Sequence, residues 1–536
     1  MPLRLITPRG LAAGHSSPPT ESPDAVERAV FSGDTLGDAF IDSTSRRPAH
    51  PAVITAAGAV THARLQRAAQ ALSRALRASG EFTRQDRVAL LLSNSPLFPA
   101  TYYGVILAGG VAVPLPPDIE SSRFERIIRE GGIRIIIAAD EAPLRRAGLS
   151  FSIFLLDLDQ SELPHDEAAR EPAEVQSSDL AMILYTSGST GQPKGVMLSH
   201  ANILANARII STHLPVGPGH RALANSPFYH AFGNAVMQTH LLCGATLVID
   251  GTLTFPKTLI DAIERHQVTT FSAVPEAWRF LMSRSAVRAG SLPSLRYATT
   301  AGALMPDDLA RRIAAAIAPA KFFSLYGQTE STSRLSYIEA QDLATHPGSI
   351  GRGAPGVELQ VVNERGQRVQ PGEIGEIRAR GPNIMVGYWG DDATTRRTLR
   401  DGWLHTGDLA IVDDDGFIAL RGRMDDIIKI GGIRLHPAEV EEIIRLRAPG
   451  TDVAAVAFQR EGAEPRLAIF VRRGTTDGPD EASIRDLCCR DLPRHMIPAV
   501  IEFVDDFPLT GTMKLDRRAL AQRARDLATS SVTIPA

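Results

Sequence analysis

The run Tyr185-Thr-Ser-Gly-Ser-Thr-Gly-Gln-Pro-Lys-Gly195 packs hydroxyls, glycines and one lysine between two apolar stretches. Gly188 and Gly191 allow backbone N–H groups to come close to phosphate oxygens. Beside Thr186, the hydroxyls of Ser187, Ser189 and Thr190 add donors, and Lys194 adds a cation. An apolar strand pattern, Leu180 to Tyr185, leads in, and an apolar helical pattern, Val196 to Ile210, leads out. Strand, donor-rich loop and helix in that order suit a cradle for phosphates better than a flexible Ser/Gly connector. The loop is not the Walker type, which closes on Gly-Lys-Ser/Thr, because here Pro193 precedes Lys194.

Other strings with chemical potential follow in order. They are Ser226-Pro-Phe-Tyr-His-Ala-Phe-Gly-Asn234, Thr300-Ala-Gly-Ala-Leu-Met-Pro306 and Tyr326-Gly-Gln-Thr-Glu330. Gly402-Trp-Leu-His-Thr-Gly-Asp408, Gly422-Arg-Met-Asp-Asp-Ile-Ile-Lys429 and Ile430-Gly-Gly-Ile-Arg-Leu-His-Pro-Ala-Glu-Val-Glu441 come next, and Pro508-Leu-Thr-Gly-Thr-Met-Lys514 stands near the end. Taken singly, most of these read as strand ends and solvated turns. In this order, over about residues 30–525, they resemble the signatures of the adenylate-forming superfamily: acyl-CoA synthetases, peptide-synthetase adenylation domains and firefly-type luciferases.

The resemblance implies roles. The loop of Thr186, Ser187, Gly188, Ser189, Thr190, Gly191 and Lys194 would hold the phosphates of ATP, with Gly302, Ala303, Tyr326, Gly327 and Gln328 around the nucleotide. Thr329 would bond the α-phosphate and Glu330 would hold Mg²⁺, a cation that prefers one or two carboxylates plus phosphate oxygens. Asp408 and Arg423 would bind the ribose, and Asp425 would mark the hinge between a large and a small domain. Gly431 and Gly432 would let a pantetheine thiol pass. Lys514 would be the catalytic cation between carboxylate and α-phosphate. The chain departs from the family pattern just before it, where Met513 stands in place of the usual glycine.

Tyr229, His230 and Phe232, with Gly302 and Gly327, would form the acyl pocket, His230 beside the reacting carboxylate. Relatives that activate α-amino acids usually place an Asp in the 226–234 stretch. This chain has no acid there, and a buried ammonium without a partner is costly. The expected substrate is therefore a non-amino carboxylic acid, fatty or aryl. The expected acceptor is CoA, with a carrier-protein phosphopantetheine as the rival. A luciferase-like oxygenase and a nucleotide-binding regulator that has lost catalysis, to which Met513 points, are the readings from other classes.

These residues need rigid elements behind them. Leu65 to Leu76 carries helical apolar spacing, while RVALLLSNS, GGVAVPLPP and IRIIIAAD read as short buried strands ended by turn residues. Strands alternating with helices imply an α/β fold with mainly parallel sheets covered by helices. The expected plan is a tail over 1–24, a large domain over 25–422 with a β-rich subdomain at 348–420, and a small mobile α+β domain over 423–536. The 536 residues suffice for about three or four units of roughly 150 residues. A net charge of −3 without single-sign blocks argues against nucleic acid. Three cysteines, two of them adjacent, form no disulfide framework. No apolar run approaches the ~18 residues of a membrane span. A reducing cytoplasm is the expected setting.

Overall fold

The computed structural model describes residues 31–139, 152–154, 174–186, 193–252, 255–284, 287–288, 290–430, 433–448, 450–460, 463–473, 479–510 and 515–530. The expectations for the tail, for Ser187, Gly188, Ser189, Thr190 and Gly191, for Gly431 and Gly432, and for Lys514 lie outside these residues.

Two large sheets form the body. One has nine strands, centred on Lys321–Tyr326, Tyr297–Thr300, Thr270–Ala273, Arg221–Leu223, Thr246–Ile249 and Pro51–Thr55, all parallel. The other has seven, with Leu180–Thr186, Val111–Leu115, Arg87–Leu91, Ile135–Ala138 and Ser152–Phe154 parallel. Side chains alternate along each strand, so each sheet feeds two apolar layers. Val88 and Leu90 join the large cluster that both sheets share, whereas Ala89 and Leu91 face an outer layer with Phe124, Ile127 and Ile128. The helix Leu97–Leu107 is buried from Phe98 to Ile106 and belongs to the shared cluster. A helix apolar on every side is stable only when packed all round. The outer face of the nine-stranded sheet is covered by Pro256–Arg265, Pro275–Arg284 and Asp307–Ile317.

One expectation fails at an informative place. The stretch after the phosphate-type loop begins as a strand, Lys194–Ser199, paired antiparallel with Leu180–Thr186. The helix starts only at His200, where Ser199 and Asn202 form a reciprocal cap. Val196 and Leu198 are buried and Met197 is not, an alternation that is strand-like once the cap is recognised. Thr186 thus leads to a second strand at Lys194, not directly to a helix.

Beyond these sheets, Glu358–Val362, Gly375–Arg380, Trp403–Val412 and Ile418–Arg423 make an antiparallel sheet, the expected β-rich subdomain. The chain after Ile430 builds its own core on both faces of the sheet Val453–Phe458, Arg466–Arg472, Val500–Val504. Val453 and Ala455 face one cluster with the helices Pro437–Arg447 and Glu481–Asp491. Ala454, Val456 and Phe458 face the other with Leu520 and Ala524. Arg472 and Asp452 of this unit meet Glu276 and Arg279 of the body at 3.2 and 3.3 Å. Among the described residues no helix is long and apolar enough to cross a membrane.

The C-terminal unit hinges chemically on Glu441. Its carboxylate accepts from the Ala455 N–H at 2.8 Å, from Arg517 at 2.9 Å and from Arg445 at 3.1 Å. Burial alone would raise its pKa, but Arg517 and Arg445 outweigh that and hold it below the ordinary value of 4.5. A depressed carboxyl contributes stability above its unfolded pKa and loses it as pH falls through the folded one. Glu441→Gln should therefore cost about 3 kcal/mol at neutral pH, near the lower end for a broken buried pair because Arg517 is partly exposed. The gap from the native chain should shrink below about pH 4.5. Thermal unfolding across that pH range tests this, and a pH-independent gap would count against it.

Candidate active site

The elements deliver most of the singled-out residues to neighbouring strand ends. Thr186 lies opposite Lys194 across the hairpin. The edge strand Gly387–Tyr388 adds to the same hairpin, and this places the Lys194 ammonium 5.5 Å from the centre of the Tyr388 ring. The Tyr388 hydroxyl donates to Glu330 Oε1 at 2.7 Å. Burial, reinforced by Glu330, raises the phenol well above its ordinary value, so it stays a donor. Lys194, Tyr388 and Glu330 thus form one contiguous group.

A second group adjoins it. The Tyr326 hydroxyl donates to Asp408 Oδ2 at 2.6 Å, and Arg423 Nη1 donates to Asp408 Oδ1 at 2.9 Å. Burial pushes the Asp408 carboxyl up. Arg423 and Tyr326 pull it back, and the nearby Glu330 pushes it up again, leaving it raised overall. Arg423 leaves the strand Ile418–Arg423 and is followed by the exposed turn Met424–Asp426, which contains Asp425. His436 spans this junction. Its Nδ1 accepts from the Ala438 N–H at 3.2 Å, and its Nε2 lies 2.8 Å from both the N–H and the carbonyl of Arg423. Gly422 has φ +127°, and a Cβ there would sit 1.9 Å from the His436 ring, so only glycine fits.

The turn between these groups is strained. Thr332 and Ser333 have φ of 56° and 116°, a region non-glycine residues rarely occupy without outside support. Asn383 supplies it: its side-chain amide donates to the carbonyls of Ser331 and Arg334 at 2.9 and 2.6 Å, and its own carbonyl accepts from Thr332 at 2.7 Å. A Cβ at Gly327 would lie 2.0 Å from the Ser333 oxygen. This fold of the chain presents Gln328, Thr329 and Glu330 half-buried at its rim.

On the acyl side, the structure divides the expected set. Phe232 lines a small cavity with Ile210, Leu214, Val236, Thr239 and Arg334 among others. Tyr229, His230, Gly302 and Gly327 are not in its wall. Tyr229 and His230 meet edge to face at 4.7 Å, and His230 sits, half-buried, just ahead of the helix Ala231–Leu242. Gly302 and Ala303 are exposed beyond the strand Tyr297–Thr300. Tyr388, Asn383, His436 and Arg334 are the residues that sequence reasoning missed.

The family model for AMP-binding enzymes matches residues 40–389. A feruloyl-CoA synthase of Amycolatopsis is 33% identical over 473 residues, covering 87% of this chain and 94% of that protein. An indoleacetate–CoA ligase of Aromatoleum aromaticum is 30% identical, covering 86% and 93%. The crystal structure of ATP-bound MatB from Rhodopseudomonas palustris superposes with a TM-score of 0.81 at 25% identity, covering 92% of this chain and 99% of that one.

Proposed function

The chain belongs to the AMP-binding enzyme family, and from that membership we propose an acid–thiol ligase that makes an acyl-AMP from ATP and a carboxylic acid, releases pyrophosphate, and passes the acyl group to CoA. The observation that carries this reading is the convergence of Lys194, Glu330, Asp408 and Arg423 through the hydrogen bonds of Tyr388 and Tyr326. Two cations and two carboxylates are set side by side: Lys194 suits a polyphosphate and Glu330 its counter-ion. The relatives named as CoA ligases support the acceptor.

In this reading Lys194 and the residues just before it hold the phosphates, and Thr329 bonds the phosphate that is attacked. Asp408 and Arg423 hold the sugar. Glu330, with Tyr388 on one oxygen, fits magnesium, which keeps its waters and takes few protein carboxylates. When bound, the ion screens phosphate charge from the incoming carboxylate. His230 stands by the reacting carboxylate, and Lys514 bridges it to the phosphate. The unit from 423 onward turns about Asp425 to exchange Lys514 for Gly431 and Gly432, which admit the thiol. The cytoplasm supplies ATP and reduced thiols together.

The acid carries no amino group. Neither the 226–234 stretch nor the cavity wall holds a carboxylate to pair with an ammonium, and Arg334 in that wall would repel one. A pyrophosphate-release screen over alkyl, aryl and amino acids is the test, run with CoA and then with a phosphopantetheinylated carrier protein. Release with alkyl or aryl acids and thioester formation on CoA are expected. ATP binding without release for any acid would leave a nucleotide-binding regulator instead.

A further inference from the structure

Arg334 is only 3% exposed, and it lines the cavity beside Phe232. Its described contacts do not balance its charge. Nη1 donates to His213 Nε2 at 2.5 Å, and His213 uses its Nδ1–H on the Ile209 carbonyl at 2.9 Å. The His213 ring is therefore neutral. Burial, with Arg334 next to it, drives its pKa down to about 2. Tyr297, also in the wall, offers no anion, since burial raises its phenol. Burial lowers Arg334 itself to about 9, which leaves it cationic at neutral pH.

Three polar atoms in this wall, Arg334 Nε, Thr239 Oγ1 and the Tyr297 hydroxyl, have no hydrogen-bond partner among the described residues. Buried cations and buried donors are normally paired, because leaving them unpaired is costly. The rest of the lining is largely apolar: Ile210, Leu214, Phe232, Ala235 and Val236. A few polar groups converging among apolar ones are the pattern of a specificity site.

The cavity also lies next to the reacting centre. The Leu335 N–H donates to the Tyr326 carbonyl at 2.8 Å, closing the turn that carries Glu330 on one limb and Arg334 on the other. Asn383 fixes the Arg334 carbonyl at 2.6 Å, so the guanidinium projects from a pinned backbone.

We propose that this cavity receives the far end of the acid and that Arg334, with Thr239, pairs there with a second carboxylate, so that the preferred substrates are dicarboxylic acids activated at one end. The reacting carboxylate forms the bond to AMP as pyrophosphate leaves, and the second stays unreacted and ionised against Arg334. The proposal rests on the acyl-adenylate reading above and refines its substrate class.

The test is a set of α,ω-dicarboxylic acids from succinic to sebacic, with terephthalic acid, each compared with the monocarboxylic acid of equal length or p-toluic acid. The native enzyme should favour a diacid of the fitting length by about tenfold or more in kcat/KM, since a site built for a polar group discriminates strongly against an analogue lacking it. In Arg334→Met, kcat/KM for that diacid should fall on the order of 100-fold, mostly through KM, while the matched monoacid stays within about threefold or improves. Arg334→Lys should recover part of the loss. If the native enzyme is active on monoacids and favours no diacid, the proposal is wrong although the ligase reading survives. Equal losses on both acids in a folded Arg334→Met would likewise overturn it. No pyrophosphate release from any acid would instead defeat the ligase reading. The native comparison decides the matter even if Arg334→Met does not fold.

Discussion

Lys514→Ala should lower pyrophosphate release from free acid by at least about 100-fold, the scale seen when one charge-stabilising donor is removed from a reacting centre. Thioester formation from a supplied acyl-adenylate should stay within about threefold. The asymmetry follows from the chemistry. Attack of a carboxylate on an α-phosphate brings two anions together and sheds a third, so a cation at that point acts in the first half-reaction. Thiol attack on the finished adenylate has no such meeting of charges. The residues flanking Lys514 make the substitution interpretable. Leu509 and Leu515 pair across the loop, and the Asp516 N–H donates to the Pro508 carbonyl at 2.8 Å. Arg517 is then held by Glu441 and by the Ala455 carbonyl at 2.6 Å. Both ends of the loop are thus anchored in the C-terminal unit, and truncating one side chain within it leaves that anchoring in place. Single-turnover assays of the two half-reactions measure the split. Equal loss in both would remove Lys514 from the role given to it, and Met513 would then become the residue to explain.

The contrast between what the sequence disclosed and what it hid has a physical basis. The alternating strands and helices are written in local periodicity, and Arg87–Leu91, Val111–Leu115 and His62–Ala78 lie where that periodicity puts them. The run after Lys194 misled because Val196 to Ile210 carries apolar residues at both ends of its length. Only the cap formed by Ser199 and Asn202 separates its strand from its helix. The chemistry-bearing strings were legible as strings, but their partners were not. Tyr388 reaches Glu330 across 58 positions, Asn383 reaches Ser331 across 52, and Tyr326 reaches Asp408 across 82. No local spacing encodes such pairs. Arg334 was hidden for a different reason: an arginine just after a turn normally reads as solvated, and only the fold reveals that helices and a pinned turn enclose it. The turn of the C-terminal unit proposed about Asp425 has Gly422 packed on His436 beside it, a contact no local spacing discloses.

Asp408→Asn should raise the KM for ATP on the order of 100-fold while changing kcat far less, the signature of an interaction made equally in ground and transition states. Asp408 is 8% exposed, and each of its oxygens already has a partner, Tyr326 on one and Arg423 on the other. An amide of the same shape can keep its oxygen on Arg423 and turn its NH2 toward the Tyr326 hydroxyl, which can accept, but it loses the negative charge that pairs with Arg423. Removing one member of a buried pair costs about 3–5 kcal/mol. Because the Arg423 side chain keeps 48% of its exposure, water relieves part of that, and about 2–3 kcal/mol is the better expectation, which matches the stated loss in affinity. Tyr326→Phe should cost about one ordinary hydrogen bond, a few-fold in KM. The sign of the pH effect is fixed as well. The Asp408 carboxyl is raised, so it takes up its proton at a higher pH than an ordinary aspartate and loses its ionic hold on Arg423 there. The native KM for ATP should therefore climb on the acid side, and Asp408→Asn should flatten that climb. A double substitution with Arg423→Gln should lose clearly less than the two single losses combined, because the pair can be broken only once. Full additivity, or an unchanged KM in Asp408→Asn, would mean that the nucleotide's sugar is held elsewhere.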